Sequence, residues 1–153
     1  MELKEFVNKI TEFLKKKSFG VGVIEGKIYT DYESFYVKRQ IIFDKEIGRT
    51  IKLYSPTLKK NIECVEPVIM GKFEISLLEY EKTPEEVQNL FKVKNYKVPE
   101  WFVGGSVDLI CGEGFYKETV KSYLINLTSK NLSDIYTKII YKLEEIFKEM
   151  GIE

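Results

Sequence analysis

The stretch LSDIYTKIIYKLEEIFKEM, residues 132–150, carries the most regular amphipathic pattern in the chain. Its apolar side chains recur at steps of three and four residues, which is the spacing of one face of an α-helix. Asn131 stands before it as an N-cap with Asp134 in the first turn, and Gly151 follows where a left-handed residue often ends a helix. The pattern predicts a long C-terminal helix whose apolar face must pack on another layer.

Residues 2–17 form a second amphipathic stretch at the other end of the chain. Between the two stretches, short runs of alternating apolar and polar residues predict antiparallel strands. Residues 83–91 open with Thr83, Pro84 and Glu86, a capping box that predicts a short mid-chain helix. We therefore predict one α+β domain over residues 1–153, in which a mostly antiparallel sheet is packed on one face by the N-terminal and C-terminal helices.

The 153 residues include no histidine. Serine–histidine and cysteine–histidine nucleophile pairs and imidazole metal sites are therefore excluded. Cys64 and Cys111 lack the close spacing of a zinc site. They are either two buried small side chains or the two halves of a disulfide between neighbouring strands.

The charges are balanced overall, with 24 Lys and Arg against 24 Asp and Glu, but they are not evenly distributed. Residues 1–60 hold 13 basic against 8 acidic residues, a net charge of +5, and residues 61–153 hold 11 against 16, a net charge of −5. This separation favours self-association or an anionic partner. The abundance of Lys and Glu suggests a protein that works at high temperature. A charged N-terminus and the lack of a long apolar run favour a cytoplasmic protein that does not contact a membrane.

Two glycine-containing segments predict tight hairpins. Glu25 and Gly26 form the first turn, between strands at 21–24 and 27–30. In the second, residues 112–114 form a three-residue loop, which places Asp108 opposite Glu118. Two adjacent carboxylates with Lys121 nearby predict a catalytic site for phosphodiester cleavage, in which Asp108 and Glu118 bind Mg²⁺ or Mn²⁺.

A second candidate site lies in the basic half of the chain, where aromatic rings alternate with cations. Its residues are Tyr32, Tyr36, Lys38 and Arg39. Rings that stack on unpaired bases, with cations along the phosphates, are typical of proteins that bind single-stranded nucleic acid.

These observations favour a non-enzymatic interaction module, a homodimer or a protein that captures a partner chain on an exposed sheet edge, without a cofactor. The alternative is a small metal-dependent enzyme that cleaves phosphodiesters through Asp108 and Glu118. A third hypothesis is a carrier that holds a small apolar ligand between the sheet and the last helix.

Overall fold

The computed structural model describes residues 1–29, 35–56, 58–78, 100–112 and 117–152. Within these residues, seven strands lie between an N-terminal helix, α1, and a C-terminal helix, α2. The bounds are α1 Leu3–Lys16, β1 Gly20–Tyr29, β2 Phe35–Glu46, β3 Ile51–Ser55, β4 Lys60–Cys64, β5 Val68–Leu78, β6 Glu100–Cys111, β7 Glu118–Ser129 and α2 Leu132–Glu149. The predicted mid-chain helix at 83–91 lies outside the described residues.

The main sheet contains five strands in the order β1-β2-β5-β6-β7, and β3 and β4 form a separate two-stranded sheet. All of the strand pairs are antiparallel. Both helices bury their apolar faces on one side of the main sheet in a single hydrophobic core. The predicted α+β class, with helices covering one face of an antiparallel sheet, is confirmed.

Helix α2 has the ends that its sequence predicts. The side chain of Asn131 accepts a hydrogen bond from the backbone N–H of Ser133 at 2.8 Å. At the other end Gly151 has φ +74°, and the Ile152 N–H donates to the Phe147 carbonyl at 2.7 Å. Both ends of the helix are therefore satisfied by local groups.

A series of contacts between phenylalanine rings joins the helices to the sheet. Phe147 of α2 stacks on Phe13 of α1 and on Phe19, with ring centroids 6.5 and 5.0 Å apart. Phe19 meets Phe43 of β2 at 5.6 Å, and Phe43 meets Phe73 of β5 at 5.1 Å. Large buried rings contribute more apolar area than any other side chain, so this chain of contacts fixes the helices on the sheet.

The predicted hairpin turn at Glu25 and Gly26 is wrong. β1 runs without a break from Gly20 to Tyr29 and pairs with β2, and the register shifts between Glu25 and Ile28. The glycine therefore lies in an irregularity of the edge strand rather than in a turn. Glycine within a strand is a known mark of such bulges.

Cys64 and Cys111 are joined by a disulfide, with their Cα atoms 5.4 Å apart. Both residues are buried, and the bond fastens the end of β4 to the end of β6. It is thus a covalent link between the small sheet and the main sheet, and it decides between the two alternatives that the sequence leaves open.

Removal of this bond should destabilise the protein. The two cysteines are separated by 47 residues, and closing a loop of that length lowers the entropy of the unfolded chain. We expect reduction, or the double substitution Cys64→Ser/Cys111→Ser, to lower the free energy of unfolding by roughly 2–4 kcal/mol. Guanidinium denaturation with and without reductant measures this. Equal midpoints for the oxidised and reduced protein would contradict the expectation.

Candidate interaction surface

The predicted pairing of Asp108 with Glu118 is wrong. In the sheet Asp108 lies opposite Ser122, and Glu118 lies opposite Cys111. Direct partners share a face of the sheet, and Cys111 faces the helices whereas Asp108 faces away from them. The two carboxylates are therefore on opposite faces.

Hydrophobic alternation explains this register. Val103 and Val107 of β6 face the core, and their partners are Leu127 and Tyr123. The predicted register would have placed Thr119 opposite Val107 instead. Burial of one face decides the register of a strand, and here it overrides the glycines that suggested a three-residue loop.

The side chains of the predicted metal site have other partners in the structure. The Ser122 hydroxyl donates a hydrogen bond to Asp108 Oδ1, and Lys121 is bonded to Glu149 of α2. Among the described residues, His, Cys, Asp and Glu side chains do not gather in groups of three or more that could hold a metal ion.

Only part of the predicted nucleic-acid cluster can be placed. Tyr32 and the side chain of Tyr36 lie outside the described residues, and Lys38 precedes Arg39 in β2. The Arg39 guanidinium donates to the Lys38 carbonyl at 2.8 Å and lies 3.5 Å from the Glu25 carboxylate. Arg39 is therefore engaged within the sheet, and binding of nucleic acid stays a prediction.

Two cavities of about 300 and 460 Å³ open at the end of the sheet where β2 finishes. The larger cavity is lined by Lys45 and Arg49. Each of these cations donates a hydrogen bond to a carbonyl at the end of a helix. Lys45 donates to the Lys17 carbonyl and Arg49 donates to the Gly151 carbonyl. Cations at these positions stabilise the negative ends of the helices. Their positions are explained by this local role.

The face of the main sheet that points away from the helices carries exposed apolar side chains among polar ones. The exposed members are Ile24, Ile42, Met70 and Leu124. Leu124 has 76% of its side chain exposed, the largest value among these four. It lies on β7, which in the described part of the sheet has β6 on one side and no strand on the other.

From residue 122 to residue 129, the outer edge of β7 lacks the features that usually protect an edge strand. Residues 122–129, SYLINLTS, contain no charged residue, no proline and no glycine. The register shift and the charges of β7 are confined to its start, at residues 118–121. Edge strands normally avoid pairing with other chains through charges, prolines or bulges, so this edge is open to an additional strand.

The other edge of the sheet, β1, is different. It contains Glu25, Lys27 and three glycines, and its register shifts within the strand. Charge, glycine and irregularity all disfavour the addition of a further strand. The described part of the sheet therefore has one edge with these protective features, β1, and one edge without them, residues 122–129 of β7.

Lys121, Tyr123 and Glu149 form a polar cluster where β7 meets the end of α2. The Lys121 ammonium binds the Glu149 carboxylate and lies 5.1 Å from the centre of the Tyr123 ring. Burial raises the pKa of Tyr123, and the nearby ammonium opposes this shift only in part. Partial burial acts to lower the pKa of Lys121, but its bond to Glu149 and the nearby Tyr123 together outweigh burial and raise it. The hydrogen bond from Lys121 lowers the pKa of Glu149.

None of the described helices has the length and apolar character needed to cross a bilayer.

The polar cluster predicts how stability depends on pH. Lys121 and Tyr123 have higher pKa values in the folded protein than in the unfolded chain. Their contribution to stability is complete below the pKa of the unfolded groups, about 10, and it is lost as the pH rises further. The lowered pKa of Glu149 contributes above about pH 4 and is lost on acidification. We expect a plateau of thermal stability between these limits, and a smaller loss above pH 10 in Tyr123→Phe. Calorimetry across pH measures both, and an alkaline loss of equal size in this variant would contradict the assignment.

Comparison of the chain with protein-family models, with curated proteins and with solved structures gave no match.

Proposed function

We propose that the chain is a non-enzymatic interaction module that captures an extended strand on the open edge of β7. The observation that carries the proposal is the regular, uncharged run at residues 122–129 on the last described strand of the sheet. An incoming strand would bind through backbone hydrogen bonds and gain specificity from alternate side chains.

The side chains along β7 suit such an addition. Val120 and Ile125 are buried under the helices, which holds the strand in place, while Leu124 and Asn126 are exposed on the opposite face. A strand added next to β7 would cover part of Leu124 and would pair its own apolar side chains with it. Cross-strand apolar pairs of this kind stabilise a sheet.

The sequence composition is consistent with a binding role. The chain has no histidine, so the commonest general base at neutral pH is missing. The carboxylates of the alternative enzymatic hypothesis lie on opposite faces of the sheet. Strand capture requires neither a catalytic group nor a cofactor.

A labelled peptide with the sequence of residues 120–129, VKSYLINLTS, tests strand capture. We expect the peptide to bind the wild-type protein saturably in fluorescence anisotropy. The double variant Leu124→Lys/Asn126→Lys places two cations on the exposed face of the edge and should weaken binding about tenfold or more. Both positions are exposed, so the fold should tolerate the change.

The opposite edge offers a matched control. Gly22 lies in the same cross-strand row as Leu124, and Ile24 lies in the same row as Asn126. Both control positions are exposed, and a side chain at Gly22 would meet no atom within 4 Å. Gly22→Lys/Ile24→Lys should therefore bind the peptide as the wild type does. Equal binding by both double variants, or no binding by the wild type at concentrations at which it is monomeric, would contradict the proposal.

We also propose that the module works in the cytoplasm of an organism that grows at high temperature. The abundance of Lys and Glu supports this, and a buried disulfide is compatible with it, because intracellular proteins of hyperthermophiles are often rich in disulfides. We expect a melting temperature above about 80 °C for the oxidised protein, compared with about 45–65 °C for ordinary mesophilic domains. Calorimetry measures it, and a value in the lower range would contradict the proposal.

A further inference from the structure

We infer that the strand captured by β7 is β7 of a second copy of the chain, in a two-fold homodimer that also brings the two α2 helices side by side. This inference rests on the proposed function and names the partner of that edge. The placement of α2 relative to β7 and the charges on the side of α2 that faces the open edge support it.

α2 runs antiparallel to β7 and contacts it near both ends. Near one end Lys121 binds Glu149, and at the other end the Ser129 hydroxyl lies 3.4 Å from an Asp134 oxygen. The helix rises about 1.5 Å and the strand about 3.3 Å per residue, so the two spans have similar lengths of roughly 22 and 26 Å. The middle of the strand, at Ile125, therefore lies at the level of residues 141–142 of the helix.

The side of α2 that faces the open edge is charged. Successive residues of a helix are about 100° apart, which places Lys138, Lys142 and Glu145 within about 40° of Glu149, the residue that contacts β7. The opposite side of the helix packs on α1, where Phe147 stacks on Phe13. We call Lys138, Lys142, Glu145 and Glu149 the α2 flank. All four residues are exposed.

Two of the charges on the α2 flank, Lys138 and Glu145, meet opposite charges under a two-fold axis. We place the axis beside Ile125 and perpendicular to the sheet. It pairs residues 121–129 of one copy antiparallel with residues 129–121 of the other. It also keeps the helices of both copies on the same side of the joined sheet. Residues 138 and 145 lie at equal distances on either side of the helix midpoint. Lys138 therefore faces Glu145 of the second copy, and the pair occurs twice in the dimer, whereas Lys142 lies beside the axis, where the two copies of this cation meet.

The same axis keeps the uncharged run together. Leu124 lies opposite Asn126 of the second copy, and Tyr123 lies opposite Leu127. A buried, unpaired charge would weaken the interface, and neither of these contacts contains a charged residue. The formal net charge of the chain is zero, so two copies do not repel each other as whole molecules.

The assembly closes at two copies. An isologous contact uses the same surface of both chains and leaves no second open surface of the same kind. The remaining outer edges of the joined sheet would be the two β1 strands, which carry charges, glycines and a register shift. These features disfavour further growth into a polymer.

Sedimentation velocity of the full chain between about 1 and 100 µM, with charge reversals on α2, tests the inference. We expect a reversible monomer–dimer equilibrium in the wild type. Lys138→Glu and Glu145→Lys should each raise the dissociation constant about tenfold, because each replaces two attractive pairs by two repulsive ones. The double variant Lys138→Glu/Glu145→Lys should return to the wild-type value, and high salt should reduce all these differences.

Glu144→Lys is the matched control, because it changes the net charge by the same amount as Glu145→Lys from an exposed position on another side of the helix. It should leave the dissociation constant unchanged.

A protein that stays monomeric while β7 still binds the peptide would overturn the homodimer and leave strand capture intact. A dimer in which the double reversal fails to restore association, or in which Glu144→Lys weakens it equally, would overturn the arrangement of the α2 helices. A wild-type monomer that does not bind the peptide would count against strand capture itself.

Discussion

The burial of both helices on a single face of one sheet is the constraint on which the rest of the structure depends. Phe147 of α2 touches Phe13 and Phe19, and through them the rings of the sheet, so the two helices cannot shift without opening the core. Buried interiors are close-packed and respond to such shifts as a unit. Because both helices lie on the same side, neither of them covers the other face of the described sheet.

The helices and the fold class could be predicted because their signals are local. The periodicity of residues 132–150, the cap at Asn131 and the left-handed Gly151 all lie within one stretch, and each is confirmed. Sheet pairing was predicted less well. Gly26 has the local signature of a turn, yet it lies within β1, because pairing with β2 along the whole strand provides more contacts than a short hairpin would.

The open edge depends on information that no short stretch contains. The lack of charge at residues 122–129 is visible in the sequence, but it matters only because β7 is the last strand of the described sheet. Strand order follows from pairings between distant parts of the chain. The same limit explains the error at Asp108 and Glu118, where the loop suggested one register and the buried alternation of β6 and β7 imposed another.

The disulfide between Cys64 and Cys111 turns the middle of the chain into a covalent ring. β5 and β6 belong to this ring, whereas both helices and β7 extend from it as tails. A protease that cuts the backbone once inside the ring would leave its two products joined through sulfur. Such a nicked protein would keep the mass of the intact chain plus one water molecule, and would separate into fragments only after the bond is reduced.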